Sequence, residues 1–281
     1  MALSPSRFID FQGQPATELT LPQGDRVVVL LHGGQPVSWR TADGAEHLYL
    51  SPASALDGQT AVRGGVPLCF PQFNTRGPLI KHGFARNLPW QLEAAEPGQL
   101  VLGLRSGPVT QAFWAERFYA QLIVELTPGE LRLRLRVANT GPSPWSFTAA
   151  LHSYLQVGDA ERVQLDGLDG AARWDAVRDQ HLVQDGAPRF GAEFDSVYQA
   201  VAQALSLTET GRGTLRIAQS DTCPQTVVWN PGPDLSRKLA DLPDDGWRHM
   251  LCVEAASIDA PVPLAPGQTW EGWQHLSWRA A

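Results

Sequence analysis

From Glu130 to Ala138 the chain reads ELRLRLRVA, in which Leu131, Leu133, Leu135 and Val137 alternate with Arg132, Arg134 and Arg136. A period of two places the apolar residues on one face of an extended strand and the arginines on the other; on a helix the same residues would scatter around the cylinder. Repetition turns this local reading into a constraint on the fold. Weaker runs of the same kind occur at Arg26 to Leu31, Leu100 to Leu104, Tyr119 to Leu126, Trp145 to Leu151, Thr214 to Ala218, Thr226 to Trp229, Met250 to Ala256 and Thr269 to Trp278. Turn signals separate them, among them Pro128-Gly129, Thr140-Gly141-Pro142, Pro231-Gly232-Pro233 and Pro266-Gly267.

Many strands, few helical windows, and 26 Gly with 22 Pro in 281 residues predict an all-β chain, a large antiparallel β-sandwich with few short helices. The length suits one domain over residues 1–281, with no linker or internal repeat to divide it. Leu235 to Leu242 and Ser196 to Ala204 are the expected short helices or turns.

Composition narrows the partners. A formal net charge of −7 lacks the broad basic face that nucleic acid requires. No apolar run approaches the roughly 20 residues of a membrane span. The first residues, MALSPSRFIDFQGQ, lack the basic and apolar regions of a secretory leader. Three cysteines, Cys69, Cys223 and Cys252, form no CxxC pair and are odd in number, so a reducing cytoplasm is the expected compartment. A monomer is the expected state, since no interface strip is identifiable.

Against this acidic background, Arg63 to Trp90 (RGGVPLCFPQFNTRGPLIKHGFARNLPW) carries Arg63, Arg76, Lys81 and Arg86, with no carboxylate between Asp57 and Glu93. Its glycines and prolines put these charges on loops, an outline of a site for a small anion. Phosphate-binding GxxxxGK[ST] and GxGxxG loops are absent. His32-Gly33-Gly34 echoes an esterase oxyanion loop, but no GxSxG elbow accompanies it. The seven histidines show no HxH, HExxH or Cys/His spacing, so a metal site is not expected.

Four ionisable residues sit in or beside apolar strands: His82 in KHGFAR, His152 in FTAALHSYL, Asp195 in EFDSVY and Glu254 in MLCVEAAS. A buried carboxylate between Val253 and Ala255 needs hydrogen bonds or a partner, and its pKa tends to rise, which suits an acid or base near neutral pH. Read alone, His152 and His82 could equally be hydrogen-bonded structural histidines, Asp195 a helix cap or loop acid, and the four cations a solvated surface.

The segments RGGVPLCFPQF, KHGFARNLPW, FTAALHSYLQVGD, FDSVY, VVWNPG and MLCVEAA follow one another in an order and spacing that resembles the aldose 1-epimerase superfamily, and within it the hexose-6-phosphate mutarotase branch. The resemblance implies a galactose mutarotase-like supersandwich and a cofactor-independent interconversion of the α and β anomers of a sugar phosphate by ring opening and closure. By similarity, Glu254 takes the proton from the C1 hydroxyl and His152 protonates the ring oxygen, which requires an ionised Glu254 and a protonated His152. By the same similarity His82 contacts sugar hydroxyls and assists the developing charge, Asp195 holds ring hydroxyls, and Arg63 and Arg86 hold the phosphate. Lys81 stands where the family often has Gln and is a further candidate for the phosphate. Arg76, in a variable loop, receives no role. Competing readings are mutarotation of an unphosphorylated aldose, a carbohydrate-binding or sensor protein without chemistry, and a two-carboxylate glycosidase.

Overall fold

The computed structural model describes residues 6–199 and 203–281. All nine expected strand runs are strands, several longer than the sequence pattern indicates: Glu130–Asn139, Met250–Leu264 and Thr269–Ala280 are examples. Ser196 to Ala204 departs from expectation. Phe194–Gln199 is a strand, so Ser196 and Asp195 cap no helix; Ala200 to Ala202 lie outside the described residues. Val197 and Tyr198 are buried on opposite sides of the sheet, and pairing on both edges outweighs the weak local helix preference. At Leu235 to Leu242 the first residues close a short helix, Gly232–Ser236.

Two eight-stranded antiparallel sheets face each other, and a four-stranded sheet, Ser6–Phe11, Gln14–Thr20, Arg26–Leu30 and Gln35–Arg40, accompanies them. One large sheet runs in the order Gln164–Asp166, Leu205–Glu209, Gly213–Gln219, Thr269–Ala280, Glu130–Asn139, Phe118–Thr127, Gln99–Arg105 and Gln91–Glu96. The other runs Gln180–Val183, Ala172–Asp175, Phe194–Gln199, Gln225–Asn230, Met250–Leu264, Trp145–Leu151 and Leu68–Cys69, with Tyr154–Gln156 paired on Met250–Leu264.

The core between the sheets is built by the period-two pattern. Leu131, Leu133, Leu135 and Val137 point inward from one sheet, and Phe147, Ala149, Leu151, Leu251, Val253 and Ala255 from the other. A buried leucine such as Leu133 contributes about 2 kcal/mol relative to exposure, and its replacement by Asp would place an unpaired charge in that layer. Gln274 is a polar tie between the sheets: its amide donates to the Val253 carbonyl and its oxygen accepts from Ser153. Because alternate residues face opposite ways, the residues between Leu251, Val253 and Ala255 point to the other face of their sheet, where the cleft lies.

Candidate active site

Strand register builds the floor of the cleft. Trp174 pairs with Val197, Val197 with Val227 and Val227 with Glu254. In the adjacent row Asp195 pairs with Trp229, Trp229 with Cys252 and Cys252 with Tyr154. Above these two rows, loop residues close a cleft of about 280 Å³ that contains Arg63, Lys81, His82, Arg86, His152, Asp195 and Glu254 together. Every site residue expected from the sequence therefore lines one cavity, although Arg63 and Glu254 are far apart in the chain.

The loops are held by close backbone packing. At Gly65 (φ +58°) an added Cβ would stand 2.0 Å from the Pro36 carbonyl oxygen, and at Gly83 (φ +70°) 2.2 Å from that of Phe70. Only glycine fits either place, so the nearby Arg63 and His82 are set by backbone contacts. Arg63 is further fixed by hydrogen bonds to Tyr154 Oη (3.1 Å) and Asp241 (2.9 Å), and its guanidinium lies 5.9 Å from the Trp229 ring centroid. Arg86, in the turn Ala85–Asn87, donates to the Lys81 carbonyl. Among the described residues neither Arg86 nor the exposed Lys81 has a carboxylate partner. Arg76 also lines the cleft but pairs with Asp259 and lies over Trp174.

His152 Nε2 stands 3.3 Å from Glu254 Oε1. The imidazole stacks on Tyr154, centroids 4.8 Å apart, and meets the His82 ring edge to face at 5.4 Å. Glu254 is only 1% exposed, and its Oε2, like His152 Nδ1, is buried without a partner among the described residues. Burial, then the nearby Asp195 charge, raises the Glu254 pKa well above the ordinary range. Burial, then Arg86 and Arg63, pushes His152 down to about 3. Both effects favour the neutral forms, so the protein's own field keeps the shared proton on Glu254. The ion pair expected from the sequence has the same net charge and differs by one proton moved across this contact.

Asp195 rises to about 6, through burial and then the Glu193 charge, against the pull of Lys81 and Arg76. No described group hydrogen-bonds its carboxylate. The cleft is thus polarised, with Arg63, Lys81 and Arg86 at its loop rim and Asp195 and Glu254 on its floor.

The fold also gathers a donor set that spacing conceals. Ligand atoms of His152, Cys252 and Glu254 lie within 4.8 Å of one another. Their types suit a soft divalent ion, but burial above all holds the Cys252 thiol protonated, and Arg63, Arg76, Lys81 and Arg86 line the same cleft. Sequence reasoning misses Tyr154, Trp174 and Trp229 as cleft residues. The available signal is an aromatic at a position facing the same way as His152 or Asp195, which becomes informative once strand pairing is known.

The aldose 1-epimerase family model matches residues 15–277. A Cenchrus ciliaris protein named "Putative glucose-6-phosphate 1-epimerase" is 34% identical over 263 residues, covering 89% of this chain and 80% of that protein. An Escherichia coli K12 protein of the same name is 33% identical over 234 residues, with coverage of 80% and 78%. A Salmonella typhimurium crystal structure described as a "putative mutarotase" superposes with a TM-score of 0.90 at 28% identity, covering 100% of this chain and 96% of that one.

Proposed function

Since this chain belongs to the aldose 1-epimerase family and is a mutarotase isomerase, we propose that its substrate is a hexose 6-phosphate, glucose 6-phosphate above all, whose α and β anomers it interconverts without a cofactor. The observation that carries the reading is the set of three cations, Arg63, Lys81 and Arg86, on the rim of the cleft that holds His152 and Glu254. Guanidinium groups match a phosphoryl group in geometry and charge. A neutral sugar would leave Lys81 and Arg86, which have no carboxylate partner among the described residues, uncompensated, whereas Arg63 already pairs with Asp241.

In the proposed reaction the Glu254 carboxylate accepts the proton of the C1 hydroxyl while His152 donates a proton to O5. The C1–O5 bond breaks to give the open-chain aldehyde. Rotation about C1–C2 turns the other carbonyl face toward O5, and ring closure returns both protons. Tyr154 and Trp229 flank the His152 ring, and Asp195 accepts hydrogen bonds from ring hydroxyls.

This sequence needs the proton on His152 and off Glu254 before ring opening. A phosphate dianion on Arg63, Lys81 and Arg86 offsets the charges that oppose an imidazolium. Hydroxyl donors on Asp195 weaken its repulsion of an ionised Glu254. Substrate binding therefore moves the proton by one hydrogen bond, with no net uptake from solvent.

The test follows anomer exchange of glucose 6-phosphate and of glucose by NMR, for the wild type, Glu254→Gln and His152→Ala. Acceleration of the phosphate alone, lost in both variants, is the expected result. Equal acceleration of both sugars overturns the phosphate preference, and no acceleration of any aldose or aldose phosphate favours a binding protein.

A further inference from the structure

Cys69 is fully buried behind the cleft, takes no part in the proton transfers, and lies 3.2 Å through its Sγ from His82 Nδ1. The same nitrogen accepts the Asn74 backbone N–H at 3.3 Å. Resting on the reading of this cleft as the sugar site, we infer that Cys69 is a positioning residue which, with the Asn74 amide, fixes His82 as the neutral Nε2–H tautomer, a hydrogen-bond donor to a substrate oxygen and not a proton-transfer group.

Donors and acceptors around the ring decide the tautomer. A backbone amide can only donate, so Nδ1 must offer its lone pair to Asn74. Nδ1 therefore carries no proton, and the remaining proton of a neutral ring is on Nε2. Cys69 faces the same single lone pair, and its S–H shares it with the Asn74 N–H as the second donor of a three-centre bond. Burial raises the thiol pKa, so the sulfur keeps the proton that this bond requires. An imidazolium would need a second proton on Nδ1, set against the Asn74 N–H and the S–H, at the loss of both bonds. Burial, then the charges of His152, Arg86, Lys81 and Arg63, also drives the His82 pKa below its ordinary value.

The backbone around His82 is held as firmly as its ring. His82 adopts φ 67°, a left-handed conformation that non-glycine residues rarely take. Three hydrogen bonds hold the segment there: His82 N–H to the Asn74 carbonyl at 2.9 Å, Phe70 N–H to the His82 carbonyl at 3.2 Å, and Ala85 N–H to the Phe70 carbonyl at 3.2 Å. The Phe73 ring meets the imidazole edge to face at 5.1 Å. Nε2, across the ring from the two donors, has no partner among the described residues. A neutral imidazole with one fixed proton can polarise an oxygen on which negative charge develops without competing for the transferred proton.

The test reads the tautomer directly, by long-range ¹H–¹⁵N correlation on ¹⁵N-histidine-labelled protein between pH 5 and 9. The expected result is an Nε2–H pattern for His82 that does not titrate. An Nδ1–H pattern, or titration between pH 5 and 8, overturns the lock, and no variant has to fold for that result. Cys69→Ala, which leaves only the Asn74 donor on Nδ1, is expected to add a minor Nδ1–H form to the Nε2–H form that Asn74 still favours and to lower kcat by about three- to tenfold, the worth of one hydrogen bond, with KM little changed; Cys69→Ser, which keeps a donor, should restore part of both. An unchanged tautomer and kcat in Cys69→Ala removes Cys69 from the device. If no aldose phosphate is converted while the tautomer is fixed, the sugar-phosphate reading fails and the lock stands.

Discussion

Replacing Asp195 with Asn should stabilise the protein at neutral pH while impairing turnover. The Asp195 pKa rises from 3.8 to about 6 in the folded protein, through burial and then the Glu193 charge. The unfolded chain therefore loses its proton first, near pH 4, and at higher pH the native state must either hold a proton that solvent would remove or bury a charge. The sign follows: the stability contribution is fully present below pH 4, declines as pH rises to about 6 and is constant above. At about 1.4 kcal/mol per pH unit the ionised residue costs at most about 3 kcal/mol at pH 7.5, and solvent screening of a half-buried group reduces this to about 1–2. An asparagine amide carries no such charge. For a chain of this length each kcal/mol is worth roughly 2 °C in Tm, so Asp195→Asn should melt about 2–4 °C above the wild type at pH 7.5 and within about 1 °C of it at pH 4. Its kcat/KM for glucose 6-phosphate should fall by about 10- to 100-fold, the loss of a charged hydrogen bond. Scanning calorimetry at the two pH values decides the matter. A Tm difference that is absent, negative or independent of pH refutes the half-buried, unpaired carboxylate.

Glu254→Gln should combine a comparable gain in Tm at pH 7.5 with a fall in kcat of about 10²- to 10⁴-fold, measured by NMR exchange; a variant that keeps wild-type turnover removes Glu254 from the chemistry. Arg86→Ala should raise KM for glucose 6-phosphate by about 10-fold or more while leaving that for glucose unchanged, and Arg63→Ala should do the same with an added loss from the stranded Asp241; unchanged KM in both removes the phosphate site. Acid should unfold the protein by an opposite slope. His47 is lowered to about 4, by burial first, and His152 to about 3, so the unfolded chain binds protons that the native one refuses and stability falls as pH drops below 6.5. His47→Gln should flatten that slope by up to about 1.4 kcal/mol per pH unit between pH 6.5 and 4 in urea melts, and an unaltered slope contradicts the buried neutral imidazole.

The sandwich is legible in the sequence because alternation is a local signal: ELRLRLRVA states its two faces without reference to any partner. Glu254 is conspicuous for the same reason, as the one charge in an apolar run, and it does point away from the core that Val253 and Ala255 enter. Phe194–Gln199 escapes such a reading because Asp195, Ser196 and Gln199 break the alternation there, and only pairing to Gln225–Asn230 and Ala172–Asp175 makes it a strand. Trp229 and Cys252 are invisible as neighbours of Asp195 and Tyr154, since register between strands distant in sequence is a tertiary fact. The protonation state of His152 and Glu254 is hidden for a related reason. The residues imply the state that catalysis requires, whereas burial and the charges around the pair set the resting one.

That resting state gives the cationic rim a second consequence. If Arg63, Lys81 and Arg86 served affinity alone, a neutral aldose would bind weakly yet react at a normal rate once bound. In this cleft the same charges oppose a His152 imidazolium, so under the proposed mechanism a sugar without a phosphate would meet a pair whose proton is on the wrong residue. On the proposed reading, discrimination should then appear in kcat as well as KM, because the phosphate would also relieve the field that restrains the chemistry. The antiparallel sheet makes this arrangement possible. Facing positions of neighbouring strands put Asp195 one row from Glu254 on the floor, while loops anchored at Gly65 and Gly83 hold the cations above His152. Asp195 shares the cleft with Lys81 and Arg86 without an ion pair between them because the backbone, and not mutual attraction, fixes where each one stands.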